Sequence, residues 1–227
     1  GGSWEVARRM KKLGSIVTLI LACGIACRSG EKNLEDSSGS VPATNVLLEL
    51  DQGTVSVETA PTSSPFAAAF LSHCRTGLWD ETYLHRVVPG YLVQGGDPNT
   101  RNEDPSDDGL GGRGTGAAFP VWDPPDESVG GVSPPARGSV CLVVDPQSQR
   151  VTSQFFVLLR DRPLPEGDYV EVGKVRDGLE LLERISEDVG EEIPEIGGYV
   201  PRRPSQLIRC RVASEMSGEG TLPDAGF

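Results

Sequence analysis

The chain is poor in the residues on which most catalysis and metal binding depend. It has two histidines in 227 residues and no Cys-x-x-Cys, too few nitrogen and sulfur donors for a zinc site. No Gly-x-Ser-x-Gly occurs, so the common serine-hydrolase elbow is missing. Glycines gather at residues 109–116, but they neither follow a clear strand nor open a helix. No Lys-Ser or Lys-Thr comes after them, so they do not make a nucleotide-phosphate loop. Positive charge is scarce too: 21 Lys and Arg stand against 33 Asp and Glu, a net charge of −12. That balance argues against a nucleic-acid surface, which needs clustered cations, and its plainest consequence is solubility. The apolar run at residues 13–22 is too short to span a membrane comfortably.

That run does suit the core of a signal peptide, because Arg8, Arg9, Lys11 and Lys12 precede it. Ile20-Leu21-Ala22-Cys23 resembles a bacterial lipobox, in which the cysteine thiol takes a lipid and becomes the first residue. Cys27 is a second candidate whose preceding residues fit less well, and an uncleaved anchor or an ordinary secretory signal are the alternatives. Met10-Lys11-Lys12 reads like a natural start, with residues 1–9 upstream of it. The expected organisation is a signal peptide at 1–22, the lipidated Cys23 and a flexible Ser-, Gly- and Glu-rich tether at 23–43, a folded domain at 44–212 and a loose tail at 213–227. The expected location is extracytoplasmic, held to a bacterial membrane by the lipid. An acidic chain is repelled by anionic headgroups, so it needs that lipid. Gly24, not aspartate, follows Cys23, which favours the outer membrane.

Within the domain, residues 45–50 and 55–58 flank the turn Asp51-Gln52-Gly53-Thr54 as a β-hairpin. Residues 65–74 read as a helix with Phe66, Ala69, Phe70 and His73 on one face. Ser63 or Ser64 caps it, Pro65 sits in its first turn and Gly77 ends it. Strands are expected at 83–88, 91–94, 139–144, 154–159, 169–175 and 207–212, and a second helix at 177–187 with Leu179, Leu182 and Ile185 at helical spacing. Residues 98–135, rich in Gly, Pro and Asp, read as a long functional or partly ordered loop region. Such a pattern points to an antiparallel barrel or a sandwich, and composition does not choose between them. Of Cys74, Cys141 and Cys210, at most one pair can be a disulfide, and the spacing leaves the pair open.

The most informative stretch is Tyr83-Leu84-His85-Arg86-Val87-Val88-Pro89-Gly90-Tyr91-Leu92-Val93-Gln94-Gly95-Gly96-Asp97. It sets an always-charged, fork-shaped donor and an amide among apolar and aromatic residues on two strands joined by a Pro-Gly turn. Such a surface suits a ligand that is apolar at a ring and polar at an amide, as a proline in a peptide is. The stretch resembles the signature of the cyclophilin-type peptidyl-prolyl isomerases. Ser153-Gln154-Phe155-Phe156 and Val172-Gly173-Lys174-Val175 resemble two further family motifs in the same order. The resemblance covers roughly residues 44–212. It implies a mainly β fold, a closed eight-stranded antiparallel barrel capped by two α-helices, and an isomerase that needs no cofactor, metal or ATP.

The resemblance also assigns residues. Arg86 is the catalytic donor, aimed at the prolyl nitrogen of a twisted amide. Tyr91, Leu92, Phe156 and Leu164 line the proline pocket, with Tyr169 where many members have histidine. Gln94 and Gln154 hydrogen-bond the substrate backbone, although Gln154 on its own reads equally as part of a polar core network. Phe155 and Phe156, adjacent in a strand, face opposite ways, so one fills the core while the other lines a pocket. His85 faces away from Arg86 and is expected to brace the sheet through hydrogen bonds. Several positions depart from the family: Tyr91 and Leu92 replace phenylalanine and methionine, Val143-Val144-Asp145 stands where an Ala-Asn backbone holds substrate, and Pro163 stands where many members carry the tryptophan that matters for cyclosporin. The implied role is a lipid-anchored monomer that speeds folding of exported proteins by acting on their proline-containing segments. The alternative is a weakly active or inactive module that only binds such peptides.

Overall fold

A computed structural model describes residues 43–114, 116, 118–121, 123, 134–161, 168–194 and 197–218. The chain opens with β1 (Asn45–Leu50) and β2 (Gly53–Thr59), a hairpin in register from Asn45↔Glu58 to Leu50↔Gly53. Strict alternation sends Val46, Leu48, Leu50, Val55 and Val57 inward. In α1 (Pro65–Arg75) the Ser64 hydroxyl caps the first turn by accepting from the Ala67 N–H, and Pro65 begins the helix, where a missing N–H costs nothing. Thr76 closes it, and Gly77 takes the left-handed conformation just beyond. The helix buries Ala67, Ala69, Phe70, Leu71, His73 and Cys74.

Next come β3 (Thr82–Tyr83), β4 (Arg86–Val88), β5 (Leu92–Gly95), β6 (Ser139–Asp145), β7 (Arg150–Leu158), β8 (Tyr169–Asp177), α2 (Leu179–Ser186), β9 (Val189–Glu192), β10 (Tyr199–Pro201) and β11 (Gln206–Val212). All described pairings are antiparallel, in the order β3-β11-β1-β2-β8-β6-β7-β5-β4-β10-β9. β3 and β4 are two halves of one strand interrupted at Leu84–His85. The first half pairs with β11 through Tyr83↔Gln206, and the Leu84 N–H reaches Ser205 O. The second half pairs with β5, and the His85 N–H reaches Gln94 O. Through this shared strand the sheet returns on itself as the expected eight-stranded barrel. The hairpin β9–β10, absent from the sequence reading, is added outside it along β4.

The barrel interior is one apolar cluster. Phe70, Trp79 and Phe155 meet edge to face, with Trp79 4.7 Å from Phe70 and 5.1 Å from Phe155 between ring centres. The indole N–H of Trp79 donates to Ser153 O at 2.8 Å, so this buried polar atom is satisfied. α1 packs against β7, β8 and β11, and α2 against β2, β4 and β5. A disulfide between Cys74 and Cys210 ties the end of α1 to β11, and Cys141 is the buried free thiol. Within the stretch 98–135 two short 3₁₀ turns form, Pro98–Arg101 and Pro105–Asp107, each capped by an aspartate. The expected tail begins as a 3₁₀ segment, Ala213–Gly218, in which Glu215 accepts from Arg75 Nε at 2.8 Å.

Candidate functional site

The Pro89-Gly90 turn sets the geometry. Gly90 takes a positive φ of 59°, and the Tyr91 N–H closes onto Val88 O. The resulting register places Arg86 opposite Gln94, Gln94 opposite Phe156 and Phe156 opposite Cys141, one row across β4, β5, β7 and β6. The next row is Val88, Leu92 and Leu158. Because side chains alternate, Phe155 enters the interior cluster. Phe156 joins Leu92, Cys141 and Leu158 in a second cluster on the other face. Tyr91, Val88, Val143 and Tyr169 pack against that second cluster, the Phe156 and Tyr169 rings standing edge to face at 5.3 Å.

Arg86 meets this apolar surface through a chain of amides. Its Nη1 donates to Gln94 Oε1 at 2.8 Å and its Nε to Gly197 O at 2.6 Å. Gln94 Nε2 donates to Gln154 Oε1 at 2.9 Å, and Gln154 Nε2 donates to Gly109 O and Gly111 O at 2.8 and 2.9 Å. Burial pulls the Arg86 guanidinium below its ordinary value, with Tyr91 acting the other way. A guanidinium titrates so high that it stays charged regardless. The structure therefore brings Arg86, Tyr91, Leu92, Gln94, Gln154, Phe156 and Tyr169 to one site. Leu164, Pro163 and Cys23 lie outside the described residues.

Three features of the site had no counterpart in the sequence reading. The first is the pair Gly197 and Gly198: the carbonyl of Gly197 receives Arg86, and a Cβ on Gly198 would sit 2.9 Å from Val87 O and 3.2 Å from Arg86 Nε. The available signal was two adjacent glycines between short acidic and aromatic runs. The second is the use of the 109–112 glycines, which lets backbone carbonyls reach Gln154; a side chain at Gly111 would run into Asp97 and Asn99, and one at Gly112 into Ser153. The third concerns Asp145. It does not reach the pocket but holds the β6–β7 turn, accepting from Ser148 Oγ at 2.7 Å and from the N–H groups of Gln147 and Ser148, and these bonds keep its carboxyl below the usual range.

His85 behaves otherwise than expected. Its ring is buried, and neither ring nitrogen makes a hydrogen bond of ordinary geometry among the described residues, so any bracing of the sheet is limited to the backbone of Tyr83, which favours the protonated ring. Burial pushes it down to about 4, against the raising influence of Asp97, so it is neutral near pH 7. Burial likewise raises the Cys141 thiol, which removes it as a nucleophile. Among the described residues no group of three or more His, Cys, Asp or Glu could hold a metal ion. What remains is a fixed donor at the edge of an apolar cluster, suited to stabilising a change in charge distribution without covalent chemistry.

The family model described as cyclophilin type peptidyl-prolyl cis-trans isomerase/CLD matches residues 45–212. A protein of Brucella abortus named "Probable peptidyl-prolyl cis-trans isomerase" is 28% identical over 183 residues, which cover 80% of this chain and 89% of that protein. A Gibberella zeae protein named "Peptidyl-prolyl cis-trans isomerase-like 1" is 29% identical over 154 residues, covering 63% of this chain and 81% of that one. Among solved structures, a Cryptosporidium parvum cyclophilin determined in the presence of the dipeptide Ala-Pro superposes with a TM-score of 0.59 at 22% identity, covering 74% of this chain and 98% of that chain.

Proposed function

This chain belongs to the cyclophilin-type peptidyl-prolyl cis-trans isomerase family, and on that footing we propose that it catalyses rotation about the peptide bond preceding proline, with Arg86 as the catalytic donor. The uncatalysed barrier is about 18–20 kcal/mol, because the nitrogen lone pair is delocalised into the carbonyl. In the twisted amide the pair is localised on nitrogen. A donor aimed there binds that state better than either planar one, which is the condition for catalysis. The observation that carries the reading is the cross-strand row Arg86–Gln94–Phe156, which holds a guanidinium beside the apolar cluster.

Each remaining side chain then has a task. Leu92 and Phe156 floor the proline pocket, and Tyr91 and Tyr169 form its walls. Gln94 orients Arg86, and Gln154 orients Gln94 from its anchor on the glycine carbonyls. The test is exchange of a proline tetrapeptide between cis and trans, with and without protein. Turnover is expected, and so is its loss in Arg86→Ala. Peptide binding with no turnover in either protein would instead favour a proline-peptide binding module.

The cellular role we propose is assistance to exported proteins from a lipid-anchored position, with Cys23 carrying the lipid and residues 24–43 as tether. Two features support it: the basic and apolar amino-terminal segment, and a disulfide, which persists in oxidising compartments. Mass spectrometry of the mature amino terminus tests the anchor. A mature chain that begins before Cys23, or carries no lipid there, overturns it.

A further inference from the structure

The rim of the site carries a second guanidinium that the mechanism leaves unused. Arg160, just beyond β7, lies with its guanidinium carbon 4.5 Å from the centre of the Tyr91 ring. Its side chain is exposed, and among the described residues no carboxylate stands within ion-pair distance of it. Arg75, Arg137, Arg176 and Arg209 each hold a carboxylate, whereas Arg101, Arg150 and Arg184 bond backbone carbonyls instead; Arg160 rests on a ring. Among the described residues, three acids have other contacts. Asp161 accepts from the Arg137 N–H, Glu183 pairs with Arg137, and Glu187 reaches toward Gly90 in the turn before Tyr91. Tyr91 lies in the field of both Arg160 and Arg86, which oppose the upward push of burial on its hydroxyl. Stacking on the ring holds the Arg160 side chain at modest entropic cost while its charge faces water.

We propose that Arg160 determines specificity, selecting prolyl peptides that carry a carboxylate side chain on a residue next to the proline. This deepens the proline-peptide reading and rests on it. A proline packed against Tyr91 has its neighbours about 3.8 Å away along the chain, which brings their side chains within reach of the Arg160 charge. Unit charges about 6 Å apart at a partly wet rim give roughly a threefold to tenfold preference, screened by salt.

The test uses tetrapeptides Ala-Ala-Pro-Xaa and Ala-Xaa-Pro-Ala with Xaa as Glu, Gln or Lys, amidated at the carboxyl end. Both kcat/KM, from NMR exchange, and affinity are measured at low and high salt. In one of the two series the order Glu above Gln above Lys is expected, spanning about tenfold. The peptides should converge at about 0.5 M salt and in Arg160→Met. Equal handling of all three at low salt, or an order that survives Arg160→Met, overturns the proposal. If nothing is turned over but the Glu peptide binds more tightly in an Arg160-dependent way, charge selection stands and the isomerase reading fails. Turnover without charge order gives the reverse, and no binding at all overturns both.

Discussion

At the scale of single residues, the site depends on how Arg86 is oriented. The Gln94 side chain and the backbone carbonyl of Gly197 are two of the groups that hold its fork. The first partner was legible in the sequence because Arg86 and Gln94 flank a Pro-Gly turn at hairpin spacing, so pairing follows from the turn. The second was not, because a carbonyl has no sequence signature. The two histidines make a different point. His73, buried on α1 near Trp79 and Phe119, and His85 are both pushed down to about 4 from 6.5, and desolvation leads in each case. The unfolded chain therefore takes up their protons near pH 6.5, while the folded chain resists until about pH 4. Their contribution to stability is complete above pH 6.5 and is lost as pH falls from there to about 4, by up to about 3 kcal/mol each. Urea unfolding at pH 7.5, 5.5 and 4.5 should show this decline, and His73→Phe should flatten it. A decline unchanged by His73→Phe would mean that other groups cause it.

At the scale of elements, the eight barrel strands were legible as short runs rich in Val, Leu and Phe between turn residues, although β5, β6 and β7 are buried along nearly their whole length and do not alternate. The period of two shows once the strands are placed: Val46, Leu48 and Leu50 on β1 face inward, and Phe155 and Phe156 on β7 face opposite ways. The hairpin β9–β10 was not legible: Val-Gly-Glu-Glu is short, acidic and largely exposed, and only Val189 and Tyr199 pack against the core while Tyr199 pairs with Val87 of β4. Yet this hairpin carries the Gly197-Gly198 bend onto Arg86. Both glycines have positive φ, but only Gly198 is crowded; a Cβ at Gly197 meets nothing within 4 Å. Gly198→Ala should therefore displace Arg86 and lower kcat/KM by about tenfold or more, while Gly197→Ala costs backbone strain of about 1–2 kcal/mol and much less activity. Equal kinetic losses in the two variants would remove the hairpin from the account of Arg86. The carbonyls of Gly109 and Gly111 belong here too: the glycine run was visible, but its task of anchoring Gln154 appears only once β7 lies beside it.

At the scale of the whole molecule, the closed sheet and one covalent link define the stability. The Cys74–Cys210 bridge spans 136 residues of sequence, so it constrains most of the unfolded domain. The sequence offered three pairings; the packing of α1 against β11 selected one, and β6 buried the third cysteine. Replacing Cys74 and Cys210 together by alanine should lower the unfolding free energy by about 2–5 kcal/mol. The measure is urea denaturation, compared with unsubstituted protein kept oxidised. A loss below about 1 kcal/mol would show that the barrel closes without help from the bridge. The formal charge of −12 adds a setting for Arg86 and Arg160, two cations on the site's side of an acidic molecule.

The most direct measurement separates the fork of Arg86 from its charge. Isomerisation of an Ala-Ala-Pro-Ala amide by wild type and Arg86→Lys, followed by NMR exchange with peptide affinity measured in parallel, does so. Lysine keeps the positive charge but cannot hold Gln94 and Gly197 while presenting an N–H in a fixed plane. The expected result is a fall in kcat of about a hundredfold with affinity changed by less than about threefold. A lysine variant that turns the peptide over as fast as wild type would contradict the central claim.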